Sequence, residues 1–97
     1  MSAETLRKAA AIVRQRGLAK GTFEDAAGRV CAHRSLRMVN PGAGGATEMR
    51  ADLRAVFRVI DSISILTWSD LPTTTAEDVA AAFERAAELV ESELEAS

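Results

Sequence analysis

The chain has 97 residues, 47% apolar and 27% charged, with a net charge of −2; this fits one globular domain over 1–97 and excludes a disordered chain. Its single cysteine, Cys31, excludes an internal disulfide, which points to a reducing cytosol. The apolar run Leu6 to Val13 is interrupted by Arg7 and Lys8, and the neutral run Ser62 to Ser69 falls far short of the ~20 residues of a membrane span, so neither a secretory leader nor a membrane partner is expected.

The small net charge conceals a division. Residues 1–58 hold eleven of the twelve Lys and Arg, with five acids, whereas residues 59–97 hold nine acids and one base, Arg85. Such an asymmetry draws the two halves together, or draws copies of the chain together.

In chain order, Leu6, Ala9, Ala10 and Val13 recur at helical spacing and predict a helix over 3–16, with Ser2 as its cap and Gly17 just beyond its end. Residues 18–28 contain Gly21, Gly28 and Asp25 and read as an ordered loop that turns Phe23 inward. A short helix is predicted from Val30 to Met38, with Cys31 and Leu36 facing the core. The run Asn40-Pro-Gly-Ala-Gly-Gly-Ala46 is expected to form no regular element and to be the most mobile segment. Thr47 is then expected to cap a helix from Glu48, with Leu53, Val56, Phe57 and Ile60 as its buried stripe. Its β-branched continuation, Ser62 to Trp68, suits frayed helix or extended chain, and helix to about Leu66 is favoured.

Pro72 stops regular structure. Thr75-Ala-Glu-Asp78 is a capping box with Asp in the third position, and its acids suit the positive end of the helix dipole. The last helix should bury Val79, Ala82, Phe83, Ala86, Val90 and Leu94, the alanines permitting close approach. The expected fold is all-α, a compact small bundle of three long helices and one short helix with ordered loops.

These pieces together resemble a family of small actinobacterial and actinophage α-helical proteins of unknown function. The matching residues are the helix end at Gly17, Gly21, Phe23 and Asp25 in the loop, and Gly28-Arg29-Val30-Cys31 opening a short helix with Leu36. A Trp68 to Asp70 turn of the Trp-Asn-Asp type follows, then Thr75 through Val79 with Phe83 and Ala86. Departures are Leu18 where an aromatic is common, His33-Arg34-Ser35 in place of a small apolar stretch, and Ser69 in place of Asn. The resemblance covers most of the chain outside 40–60. It implies an actinobacterial or phage origin, hence a bacterial host cytosol, and brings no activity with it.

Sites are sparse. Trp68-Ser69-Asp70 either offers Trp68 to a partner or, as favoured here, seats it in the core, with the Asp70 carboxylate folded back on nearby N–H groups and Thr75 starting the next helix. Cys31 and His33, with Asp25 or Asp70, suggest a nucleophile and its base, but a helix would set the two side chains about 200° apart. A buried thiol beside an exposed imidazole is the expectation, and no catalytic, metal or cofactor site is anticipated. Gly42 to Gly45 lacks the Lys of a phosphate loop, and Glu48 follows it, so it reads as a linker.

Arg50, Arg54 and Arg58 recur every four residues, with Arg37 nearby, against a matching acidic series Glu84, Glu88, Glu91 and Glu95. The acids sit toward the negative end of their helix and need compensation. The arginine stripe is the simplest source, from the same molecule or a second copy. The leading expectation is a non-catalytic module that binds a host or viral protein or itself as a homodimer; a nucleic-acid accessory role for the arginine face is the alternative.

Overall fold

The computed structural model describes residues 3–60 and 64–96, with the backbone alone at 43, 95 and 96; Ser2 and its capping role lie outside them. Five α-helices form among the described residues: α1 (Ala3–Arg16), α2 (Ala32–Val39), α3 (Ala46–Phe57), α4 (Ile65–Asp70) and α5 (Ala76–Ala96), with one 3₁₀ turn at Ala43–Gly45. The all-α expectation holds.

The frame is the pair α1 and α5. Leu6, Ala9, Ala10 and Val13 are buried against a face that includes Val79, Phe83, Ala86, Ala87 and Val90. The alanines remove bulk between the two axes, and each fully buried Leu, Val or Phe contributes about 1.5–3 kcal/mol. Arg7 reaches Glu91 while Arg14 reaches Glu84 and Glu77, so the helices run antiparallel. α1 ends where Gly17 adopts a φ of 89° and returns its N–H to Val13 O at 2.8 Å, a left-handed cap that a side chain would strain. α5 begins in a reciprocal box: Thr75 N–H donates to Asp78 Oδ2 at 2.9 Å, and Asp78 N–H donates to Thr75 Oγ1 at 3.1 Å. At the other end Leu94, expected inside, is 60% exposed, beside Ala3 and Arg7 where the α1–α5 groove opens.

Phe23 also departs from expectation and is 56% exposed. The loop's own hydrogen bonds explain this. Ala19 N–H donates to Val30 O, Val30 N–H to Gly17 O, and Cys31 N–H to Phe23 O. This lacing buries Ala19 and Val30 completely and fixes the Phe23 backbone with its ring outside. α2 then starts two residues later than predicted, because Cys31 is its cap residue and its Sγ accepts Arg34 N–H at 3.3 Å.

The 40–46 segment is not wholly irregular, since Gly45 N–H closes a turn on Gly42 O at 3.2 Å. Gly45 is required there: a Cβ would stand 2.3 Å from Asn40 O. It also occupies the cap position of α3, so Thr47 lies inside the helix instead of capping it.

α3 is turned about its axis relative to the predicted stripe. Its buried residues are Met49, Asp52, Ala55 and Val56, Leu53 is half-buried, and Phe57 is 40% exposed. A carboxylate takes a core position because Thr5 Oγ1 donates to Asp52 Oδ2 at 2.7 Å and Asn40 Nδ2 donates to the same oxygen at 3.0 Å. α3 stops at Phe57, with Ile60 half-buried beyond it. The expected continuation passes through residues 61–63, outside the described part. A separate α4 restarts where Ser64 Oγ accepts Thr67 N–H at 3.4 Å.

Candidate interaction surfaces

The acidic series of α5 is occupied from an unexpected side. Arg14 donates to both oxygens of Glu84 (2.7 and 2.8 Å) and to both of Glu77 (2.7 and 3.0 Å). Arg7 holds Glu91 in a fork of 2.5 and 2.9 Å. Hydrogen bonding to the arginines is the main cause holding the Glu77, Glu84 and Glu91 carboxyls below their usual range, and it raises Arg7 and Arg14 in turn. The compensation predicted from α3 therefore comes from α1. Of the series, Glu88 is exposed and makes no ion pair among the described residues, and the Glu95 side chain lies outside them.

Of Arg50, Arg54 and Arg58, only Arg58 reaches α5 among the described residues, where it pairs with Glu93. Arg50 and Arg54 are exposed, and neither has an ion pair or hydrogen bond among the described residues. Arg37 is spent locally, its Nη1 donating to Asn40 O and Gly42 O at 3.3 Å each. Beside Arg54 and Arg58 runs a groove of about 470 Å³ between α3 and α5, floored by Ala51, Ala55 and Val90 and also lined by Glu48 and Glu93.

The α4–α5 joint is built by parts distant in sequence. Trp68 is half-buried at the edge of the core and not inside it. Its carbonyl accepts Thr74 Oγ1–H at 2.7 Å. Asp70 does not fold onto its own segment; its Oδ1 accepts Gly21 N–H at 2.9 Å, across 49 residues. Lys20, which sequence reading passed over, donates to the carbonyls of Ser69, Leu71 and Thr74 at 2.6–2.7 Å. That exhausts its three donors and ties the Phe23 loop to the joint. Only the lysine's place after the helix end hinted at it. Buried Ser69 completes the joint, its Oγ accepting Ala32 N–H at 3.2 Å at the start of α2.

Cys31 is buried, and burial pushes its thiol pKa up, while burial and then Arg37 push His33 down. Both groups are thus favoured in their neutral forms, the reverse of an activated thiolate and its imidazolium. The His33 ring lies against Phe23, centroids 5.7 Å apart. Asp25 is taken up in the loop: burial works against its charge, but donors from Arg29 and Ala27 outweigh this and lower its pKa.

No helix among the described residues is long and apolar enough to cross a membrane. Neither the curated proteins nor the solved structures offer a match to this chain. A family model does: that of DUF6197, a family of unknown function, matches residues 1–89. With nearly the whole chain matched, including α1, the loop, the joint and α5 as far as residue 89, the chain belongs to that family.

Proposed function

We propose that the chain is a non-catalytic protein–protein interaction module, of actinobacterial or actinophage origin and acting in the host cytosol, whose α3 face meets an acidic surface of another protein. One observation carries this reading: Arg50 and Arg54 are exposed one helical turn apart without a counter-ion among the described residues, while Glu84 and Glu91, two of the acids expected to cover them, are bonded to α1. Arginine is enriched at interfaces, where its fork suits carboxylates. Exposed Phe57 and the Ala51–Ala55–Val90 groove floor add apolar area on the same helix. Pairing of this face with the acidic series of a second copy has little to work with, since Arg7 and Arg14 already hold Glu77, Glu84 and Glu91. A nucleic-acid partner is disfavoured by Glu48 and Glu93 in the groove and by the small number of bare guanidiniums available for phosphates.

The test compares wild type with Arg50→Glu/Arg54→Glu in affinity capture from an actinobacterial lysate, alongside anisotropy titrations with duplex and single-stranded DNA at low salt. The expected result is a protein captured by wild type, lost in the reversed variant, and no DNA binding. Equal capture by both proteins sinks the α3 reading; DNA binding abolished by the reversal transfers the face to nucleic acid.

A further inference from the structure

A second surface, independent of the α3 face, lies where the Phe23 loop meets α4. A pocket of about 380 Å³ is lined by Gly21, Thr22, Phe23, Cys31, Leu66 and Asp70. Its walls are an exposed aromatic ring, an exposed leucine and, deeper, a buried thiol. Asp70 is the one charged residue in that lining. The carboxylate makes no ion pair among the described residues; Gly21 N–H bonds to Oδ1 and leaves Oδ2 open. Lys20, the nearest base in sequence on the loop, has given its donors to the carbonyls of Ser69, Leu71 and Thr74.

The pocket is also braced from three sides. Lys20 and Gly21 tie the loop to the joint, the loop lacing fixes the Phe23 backbone, and His33 supports the ring. A braced site loses little ordering entropy on binding. An aromatic face, an aliphatic wall and a single carboxylate match a long side chain with an apolar stem and a cationic head: the stem covers the apolar wall, and the head meets the ring and the carboxylate.

We propose that this pocket receives an arginine or lysine side chain of a partner protein, with its stem between Phe23 and Leu66 and its cationic head on Asp70. The module would then hold its partners through two chemically opposite contacts: arginines on α3 that take acids, and a pocket on the loop face that takes a base.

The direct test is a titration of the ¹⁵N-labelled full chain with N-acetyl-arginine methylamide, followed by amide NMR shifts, with the citrulline analogue as an uncharged control of similar shape. Saturable shifts at Gly21 and Thr22 are expected with arginine and not with citrulline. Asp70→Asn keeps an acceptor for Gly21 N–H, and Phe23→Ala trims an exposed ring; each should weaken binding about fivefold, the scale of one partly exposed charge or cation–π contact. Unchanged helix amides in these variants separate lost binding from lost fold. Equal shifts with citrulline, or unaltered affinity in Asp70→Asn, overturns the proposal.

Discussion

Asp52 shows how one residue can hide a helix's orientation. Read by hydropathy it belongs outside, and the stripe Leu53, Val56, Phe57 then follows; in the structure it is fully buried and Phe57 is out. What sequence spacing cannot show is that Thr5 and Asn40, 47 and 12 residues away, both supply donors to it. Burial is the leading cause raising the Asp52 pKa, with Glu48 adding to it, and the two hydrogen bonds oppose it. A carboxyl raised on folding favours the folded state while protonated, and that advantage is lost as pH rises from the unfolded value through the folded one. Asp52→Asn removes the titration, so its stability relative to wild type should climb as pH rises above the ordinary aspartate value, as read by urea unfolding; a pH-independent difference would exclude this account. Asp52→Ala leaves the buried Asn40 donor and the half-buried Thr5 donor without this acceptor and should cost about 2 kcal/mol. Phe23 was misread for a related reason, since its direction is set by backbone bonds from Ala19, Val30 and Cys31 and not by its own hydropathy.

At the scale of elements, helix ends written in local chemistry were legible. The span of α1, its glycine stop and the Thr75 box were all readable, because a cap involves residues within four positions of one another. The break between α3 and α4 was not, as neither proline nor glycine marks it; the restart depends on Ser64 alone as a cap. The α5 box invites a double-mutant cycle. Thr75→Ala removes the acceptor for Asp78 N–H and should lower stability by about 1 kcal/mol. Asp78→Ala removes the reciprocal bond to Thr75 N–H. Because each side chain holds the other's backbone, the two losses should not add, the double variant falling short of the sum in urea denaturation. Strict additivity would mean that the two bonds act separately.

Across the whole molecule, the division of charge was plain in the sequence, but its consequence was assigned to the wrong helix. Arg7 with Arg14 and Arg50 with Arg54 are equally good partners for a glutamate series on paper; only the antiparallel docking of α1 on α5 decides between them. That choice both fastens the frame and frees α3. It also sets the response to acid. Glu77, Glu84 and Glu91 have carboxyls lowered chiefly by their arginine hydrogen bonds, so their contribution is present above the ordinary glutamate value and is lost as pH falls through the folded values. Asp52 has the opposite sign and offsets part of that loss. Wild type should therefore lose stability as pH falls below the ordinary glutamate value, whereas Arg7→Gln/Arg14→Gln should show a shallower fall, because its glutamates no longer titrate against a partner. Salt near 1 M, where the screening length shrinks to about 3 Å, should flatten the wild-type curve in the same direction. The pairs are exposed, so the readout is the slope of the urea midpoint against pH and not a large change at neutrality. If the double variant keeps the wild-type slope, the α1–α5 pairs do not set the acid response, and α1 loses its claim to have taken these acids from α3.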